Sequence, residues 1–270
     1  MRDNPAGFTG GIPENYDRHL GPVLFADYAR DLAGRIAGDR PARLLETASG
    51  TGIVTRALRD AIPGAHITAT DLNPPMLDVA RAKFRTGEQI DFKVADAGAL
   101  PFADGSFDAA ACQFGVMFFT DKDRSYREVH RVLRPGGRYV FSVWDAHSRN
   151  AFAASVAGLI KEHFPTDTPP FYEIPFGYHR IDPIKDSLEA AGFTAIRVNV
   201  LPIDKVVEDI AGFSRGLVFG NPLIDQIKAR GGIAPEAFRA EAEAALRRSF
   251  GSPARTRLQA ILVEAQKPAG

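Results

Sequence analysis

The chain has 270 residues, of which 45% are hydrophobic, and it carries 33 basic and 33 acidic side chains. This length fits one large domain or two small ones, with a core that needs no disulfide or metal. The balanced charge lacks the surplus of cations that displaces phosphate counterions, so it disfavours a nucleic-acid partner. Because Cys112 is the only cysteine, a disulfide within the chain and a cysteine-based zinc site are both excluded.

No hydrophobic run approaches the ~20 residues needed to span a bilayer. The N-terminus, MRDNPAGFTGG, lacks the apolar core of a signal peptide. We therefore expect a soluble, cytoplasmic protein without membrane insertion, whose partner is a small molecule. The sequence leaves open whether it forms a homo-oligomer.

An amphipathic helical stretch over 14–37 comes first along the chain. Its spacing of apolar residues is that of a helix packed on a core along one face. The Gly21-Pro22 pair is expected to break it into two helices, because proline removes a backbone donor and clashes with the preceding turn.

Strand-like and helix-like segments then alternate. Short apolar runs predict strands at 42–46, 65–71, 89–95, 106–114 and 137–144, and helical spacing predicts helices at 52–61, 74–85 and 121–133. This alternation is typical of a parallel sheet with helices on both faces. Several of the strands are almost entirely apolar, as expected where both faces of the sheet are covered.

The alternation loosens after the fifth strand. We predict helices at 150–163 and 182–191, a strand at 194–203, helical material over 205–249 and a last strand at 255–266, listed here in chain order. No repeat, low-complexity tract or interdomain linker is present, so residues 1–270 are interpreted as a single domain with helical insertions.

A glycine turn follows the first predicted strand, in the segment LLETASGTG at 44–52. Gly50 and Gly52 allow a tight turn and a close approach of ligand to backbone, and the next helix points its first N–H groups at that ligand. An ordinary strand–helix connection explains such a turn equally well. Asp71 and Asp96 end the next two strands, and an acidic residue at such a strand end accepts hydrogen bonds from ribose hydroxyls. The three strand ends therefore favour a nucleoside site.

Four segments in order, ETASGTG, TATDLNPPML, VADAGALPFADGSFDAAACQFGVMFF and EVHRVLRPGGRYVFSVW, cover about 40–145. Together they resemble the class I methyltransferases that use S-adenosyl-L-methionine, close to the ubiquinone/menaquinone-biosynthesis-like branch (methyltransferase type 11). The resemblance implies an α/β, Rossmann-like doubly wound sheet of seven strands with the last strand antiparallel. It also implies an N-terminal helical cover over 1–40, a cofactor-binding core over 40–145, and a substrate lid formed by insertions at 148–180 and 205–250.

The resemblance also implies a set of cofactor contacts: Tyr16, Glu46, Ala48, Ser49, Gly50, Gly52, Asp71, Leu72, Met76, Asp96, Ala97 and Gln113. Glu46 and the turn would contact the methionine part, and Asp71 would hold the ribose. Asp96 and the backbone of Ala97 would hold the adenine amine, while Leu72 packs on the adenine face. Gln113 or Phe114 would border the sulfonium. Tyr16 is interpreted either as a donor to the cofactor carboxylate or as an aromatic at the edge of the core.

Ala48 departs from the family pattern, which usually has glycine at this position. A methyl group is tolerated there if the backbone keeps a negative φ. We therefore expect a slightly tightened pocket in which the cofactor still binds.

Methyl transfer from a sulfonium needs mainly correct positioning and the exclusion of water. A general base is required only for a weakly acidic acceptor. His147, after the fifth strand, is the candidate base, although a surface-loop histidine is an equally good interpretation. No metal site is expected, because no His, Asp and Glu cluster has ligand spacing.

Aromatic residues in both insertions, together with the run Phe114, Met117, Phe118 and Phe119, suit a cavity for a small apolar or aromatic acceptor. Packing of the insertions against themselves, or a dimer face, is the competing interpretation. Two other functions stay open: a non-catalytic S-adenosylmethionine-binding or regulatory protein, and, less favoured, a nicotinamide-dependent oxidoreductase. The sequence does not choose between O-, C- and N-methylation.

Overall fold

The computed structural model describes Asn4 and residues 6–269. The predicted N-terminal cover and the single-domain prediction extend to residues 1–3, 5 and 270, which lie outside the described residues.

The described residues form one mixed sheet. Its strands are β1 (Arg43–Glu46), β2 (His66–Asp71), β3 (Ile90–Val94), β4 (Phe107–Gln113), β5 (Leu133–Trp144), β6 (Thr194–Val207) and β7 (Ala254–Gln266). They lie in the order β3-β2-β1-β4-β5-β7-β6. Neighbours among β1 to β5 are parallel, and β7 runs antiparallel to both β5 and β6. The predicted fold class is confirmed.

Helices cover both faces of the sheet. They are α1 (Ile12–Asn15), α2 (Ala26–Ala37), α3 (Ile53–Ala61), α4 (Pro74–Arg81), α5 (Lys122–Val132), α6 (Ala151–His163), α7 (Glu173–Gly177), α8 (Ile181–Ala190), α9 (Ile210–Phe219), α10 (Leu223–Arg230) and α11 (Pro235–Phe250). Along β4, Ala109 and Ala111 join the core cluster that contains buried residues of α2 and α3, whereas Ala110 and Cys112 join the cluster on the opposite face. No helix among the described residues is long and apolar enough to cross a membrane.

The predicted break at Gly21-Pro22 is wrong. A π-helical segment, Tyr16–Phe25, continues α1 directly into α2. The N–H of Ala26 donates to the carbonyl of Gly21, five residues back. Pro22 lacks an N–H and its ring would meet a carbonyl in a regular α-helix, so the wider turn accommodates it. The N-terminal cover is consequently one continuous helical element.

The second insertion also differs from its predicted boundaries. β6 continues to Val207, which pairs with Ala254 at the start of β7, so the helical material begins later than residue 205. The carboxylate of Asp209 then caps α9 by accepting from the N–H of Gly212 at 2.8 Å. The predicted helical material consists of three separate helices, α9 to α11.

Three glycines spaced four residues apart, Gly212 and Gly216 in α9 and Gly220 directly after it, bring this insertion against the N-terminal cover. A methyl group added at Gly216 would lie 2.6 Å from Cδ2 of Leu20, and one at Gly220 would lie 3.0 Å from the backbone nitrogen of Tyr16. Gly212 faces the same segment. The cover and the second insertion are therefore packed backbone to backbone.

We predict that Gly216→Ala destabilises the protein by about 1–3 kcal/mol, because the new methyl overpacks this contact. The matched control is Gly158→Ala in α6, where a methyl meets nothing within 4 Å. This control should raise stability by about 0.5–1 kcal/mol, the cost of glycine inside a helix. Urea denaturation measures both free energies of unfolding, and equal effects of the two substitutions would contradict the close packing.

Candidate functional site

A cavity of about 500 Å³ lies at the carboxyl edge of the sheet. Residues that end or follow each of β1 to β5 line it, namely Ala48, Gly50, Asp71, Leu72, Asp96, Gln113, Phe114 and Trp144. Ligands of open α/β sheets bind at this edge. The convergence of strand ends predicted from the sequence is therefore present in the structure.

Asp71 is the charged group at the centre of this edge, and it is 7% exposed. One carboxylate oxygen accepts from the N–H of Gly50 at 2.9 Å, and the other accepts from the N–H of Asn73 at 2.8 Å. Burial raises the pKa of Asp71, and these hydrogen bonds oppose the rise. Each oxygen keeps acceptor capacity for a further donor.

The backbone at Ala48 does not keep the negative φ under which a methyl group is readily tolerated. Its φ is +51°, and φ at Gly50 and Gly52 is +55° and +77°. The left-handed conformation costs a non-glycine residue about 1–2 kcal/mol. The Ala48 methyl sits beside Gly115, where an added Cβ would lie 2.5 Å from it. Glycine at 115 thus makes room for alanine at 48.

Glu46 does not line the cavity, and neither do Ser49 and Gly52. The Glu46 carboxylate lies behind the turn and accepts from the hydroxyl of Thr55 at 2.6 Å. Burial raises its pKa to about 8. Direct contact of Glu46 with a cofactor therefore stays a prediction, because Glu46 is buried and is not among the residues that line the cavity.

The end of the cavity next to β2 and β3 is open to solvent. Leu72 is 59% exposed although it is a large apolar residue, and it lines the cavity with Met76. Asp96 is exposed and accepts from the N–H of Gly98 at 2.8 Å, whereas Ala97 is buried. An apolar surface beside a free carboxylate suits a planar heterocycle with an amino group.

Tyr16 and Gln113 lie where the cavity meets the N-terminal cover. The ring of Tyr16 stacks on Phe25 with a centroid distance of 4.8 Å. Burial, and then the charge of Asp71, raise the pKa of Tyr16, so its hydroxyl stays protonated. The Gln113 side-chain N–H donates to the carbonyl of Phe25 at 3.2 Å, and its buried oxygen has no partner among the described residues.

The other end of the cavity is aromatic. Phe114 stacks on Trp144 with centroids 4.0 Å apart and planes 6° apart. Phe152, Phe171, Tyr172, Phe176 and Leu217 come from the two insertions, and Met117, Phe118 and Phe119 follow β4. Phe164, Tyr178, Phe213, Phe219 and Phe238 do not line the cavity, so part of each insertion packs elsewhere, as the competing interpretation holds.

His147 does not reach the cavity. Its Nε2 donates to the carbonyl of Tyr172 at 2.9 Å, and its ring packs on Phe176. The prediction of a general base at His147 is therefore not supported, because this contact directs the imidazole towards the backbone behind α7. Within the described part of the chain, no group of three or more His, Cys, Asp or Glu side chains is arranged to hold a metal ion.

Asn73 and Trp144 line the cavity but were not predicted. Asn73 donates to Asp71 and accepts from the N–H of Phe8 at 3.3 Å, so it ties the N-terminal segment to the nucleoside end. Its position two residues after Asp71 could have indicated this role, since asparagine often caps such turns. Trp144 ends β5, and the convergence of strand ends could have indicated it.

These features fit S-adenosylmethionine. Asp71 offers acceptors for ribose hydroxyls, Leu72 offers an exposed apolar face, and Asp96 offers an acceptor for an amine. Gly50 adopts the left-handed conformation that the turn requires, with a φ of +55°. The carboxylates also suit the positive charge of a sulfonium.

Comparison with known proteins agrees with this geometry. Residues 45–141 match the family model described as a methyltransferase domain. Over 113 residues the chain is 42% identical to a demethylmenaquinone methyltransferase of Thermus thermophilus, covering 42% of this chain and 51% of that protein. Over 107 residues it is 47% identical to a ubiquinone/menaquinone biosynthesis C-methyltransferase of Bradyrhizobium diazoefficiens, covering 38% and 42%. The chain thus spans about half the length of these relatives.

Solved structures share the fold. The YcgJ protein of Bacillus subtilis superimposes with a TM-score of 0.58 at 22% identity, covering 89% of this chain and 99% of that one. The [4+2]-cyclase SpnF gives a TM-score of 0.53 at 22% identity, covering 89% and 81%. The domain match and the strand order show a class I S-adenosylmethionine-dependent methyltransferase fold, which confirms the resemblance drawn from the sequence. That family implies S-adenosylmethionine as the cofactor.

We predict that stability falls as pH rises from about 4.5 to 8, because folded Glu46 holds its proton where the unfolded chain has lost it. Glu46→Gln should remove this loss. The free energy of unfolding of Glu46→Gln minus that of the parent should therefore rise between pH 5 and pH 8.5. The expected rise is on the order of 3–5 kcal/mol, because each pKa unit corresponds to about 1.4 kcal/mol. Denaturation at both pH values measures the change. Exposed Glu162→Gln is the control, and the same slope in all three proteins would contradict the assignment.

Proposed function

We propose that this protein transfers a methyl group from S-adenosylmethionine to a small apolar or aromatic acceptor. The observation that carries the proposal is the polarity of this cavity, whose solvent end has carboxylates beside Leu72 and whose inner end is aromatic. A nucleoside and an apolar ring would thus meet within one enclosure, near Gln113 and Phe114.

When bound, S-adenosylmethionine supplies a methyl group activated by positive sulfur, and an acceptor's nucleophile can bond to the methyl carbon in line as the carbon–sulfur bond breaks and sulfur keeps the electron pair. Asp71 would fix the ribose, and Leu72 would support the base. The aromatic wall would exclude water and hold the acceptor in line, and such positioning supplies several kcal/mol of barrier reduction.

The chain's own side chains offer little base catalysis at the aromatic end. Tyr172 is titratable there, but its hydroxyl donates to the carbonyl of Leu217 at 2.9 Å and burial raises its pKa. This favours an acceptor that is nucleophilic without a protein base, such as an electron-rich ring carbon or a phenolate.

The names of the relatives favour a quinone-type ring as the first acceptor class to test. The matched segment contains the strand ends of the nucleoside site, whereas α6, α7 and α9 lie outside the family match. The relatives therefore support the cofactor half of the proposal more strongly than the acceptor half.

A non-catalytic S-adenosylmethionine-binding protein is the second candidate. The strained Ala48, whose methyl lies at the cavity wall, favours it, and the occurrence of this fold in a cyclase shows that fold does not determine activity. A nicotinamide oxidoreductase is not favoured, because the antiparallel β7 departs from the strand order of that fold.

We predict that Asp71→Ala weakens S-adenosylhomocysteine binding at least tenfold, since a buried acceptor for the ribose is lost. Asp78→Ala on α4, where the carboxylate is exposed and paired with Arg81, is the matched control and should leave the affinity unchanged. Isothermal titration calorimetry measures both affinities, and equal affinities of the two variants would contradict a role of Asp71 in binding the ribose.

Transfer is tested with S-adenosylmethionine labelled on the methyl group and a panel of small aromatic acceptors. We predict that label appears in at least one ring compound. Tight cofactor binding with no label in any acceptor would support the non-catalytic candidate instead.

We also predict that Ala48→Gly binds S-adenosylhomocysteine severalfold tighter than the parent, because the methyl leaves the cavity wall. The free energy of unfolding should change by less than about 1 kcal/mol, since relief of the left-handed strain offsets the extra freedom of the unfolded glycine. Calorimetry and denaturation test the two parts. Weaker binding by the glycine variant would show that the methyl contacts the ligand favourably.

A further inference from the structure

We propose that the aromatic end of the cavity is a blind compartment for a compact, uncharged ring compound that offers an oxygen to the indole N–H of Trp144. A ring that carries a long chain does not fit this compartment. The inference rests on the proposed function and narrows its acceptor class.

The compartment is closed at its inner end. Its wall residues Trp144, Phe152, Phe176 and Leu217 are 4%, 1%, 6% and 1% exposed. Behind them lies further packed core, since Phe152 contacts Phe213 at a centroid distance of 5.8 Å. The exposed lining residues, such as Leu72 and Asp96, lie at the nucleoside end. A bound cofactor would therefore stand between the compartment and solvent.

The polar side chains of the compartment mostly bind backbone groups of the second insertion. Tyr172 donates its hydroxyl to the carbonyl of Leu217. The Asn221 side chain donates to the same carbonyl at 2.9 Å and accepts from the N–H of Leu223 at 3.0 Å. A ligand with several hydroxyls or a charge would leave its own groups unpaired here, at about 1–3 kcal/mol each.

Trp144 is the exception. No group in the described part of the chain accepts a hydrogen bond from its indole N–H. Phe114 covers one face of the indole, and Tyr28 meets it edge-on at a centroid distance of 5.6 Å. The indole nitrogen is not among the fully buried atoms that lack a partner, so it is accessible, and Trp144 lines the cavity. Tryptophan N–H groups usually find a hydrogen-bond acceptor, and we infer that a ligand oxygen supplies it here.

The volume limits the size of the ring compound. Sites for one drug-sized ligand span about 300–1,000 Å³, and the 500 Å³ here must hold a nucleoside cofactor as well as the acceptor. A long alkyl or prenyl chain has no exit at the closed end, and at the open end it would compete with the cofactor.

The test uses 1,4-naphthoquinone, which is compact, uncharged and rich in carbonyl acceptors, and the same ring carrying a polyprenyl chain. Each is titrated into the full chain by calorimetry and by quenching of Trp144, the single tryptophan. Thiol addition is minimised because Cys112, the single cysteine, is buried. Naphthalene serves as the matched ring without oxygen, and Trp144→Phe removes the N–H while keeping an aromatic ring. All titrations are made with saturating S-adenosylhomocysteine, so that the nucleoside end of the cavity is filled.

We expect the bare quinone to bind and quench, and the prenylated ring to bind at least tenfold more weakly. Trp144→Phe should weaken naphthoquinone about threefold to tenfold, the loss of one hydrogen bond, and leave naphthalene and S-adenosylhomocysteine unchanged. Equal binding of the prenylated ring, an equal loss for naphthalene, or no binding of the bare ring would each overturn the proposal. Cofactor binding and label transfer are measured separately, so a failure of this proposal can be distinguished from a failure of the proposed function.

Discussion

The carboxylate of Asp71 connects the parts on which the site depends. It accepts from Gly50 in the turn after β1 and from Asn73 at the start of α4, and Asn73 in turn accepts from the N–H of Phe8 in the N-terminal segment. One buried acid thus sets the position of the glycine turn, the next helix and the cover. Burial disfavours the charged form of Asp71 and therefore raises its pKa. Titratable groups whose pKa values are shifted by burial are often found at functional sites.

The cover and the lid follow from the same arrangement. Because the π-helical segment carries Pro22 without a break, Tyr16 and Phe25 reach the cavity from one rigid element. The glycine face of α9 lets that element approach closely, so cover and second insertion enclose the aromatic end together. The cavity then runs from carboxylates at solvent to packed rings inside. This change in polarity along the cavity suits a charged nucleoside at the solvent end and an uncharged acceptor at the inner end.

The cofactor half could be predicted from the sequence because strand ends of a parallel sheet converge whatever the side chains around them. Asp71, Leu72, Asp96 and Gln113 line the cavity for that reason. Side-chain direction and backbone strain were not predictable in the same way. Glu46 turns away to Thr55, and the φ of Ala48 depends on space beside a glycine far along the chain. His147 lies outside the cavity lining, and its partner, the carbonyl of Tyr172, belongs to an insertion whose path the sequence alone did not predict.

The most direct test of the central claim is a crystal structure of the protein with S-adenosylhomocysteine. The account predicts the ribose hydroxyls within hydrogen-bond distance of both Asp71 oxygens, the adenine on Leu72 with its amine at Asp96, and the sulfur facing the compartment bounded by Phe114 and Trp144. A ligand bound outside this cavity, or bound inside it with its ribose away from Asp71, would contradict the account.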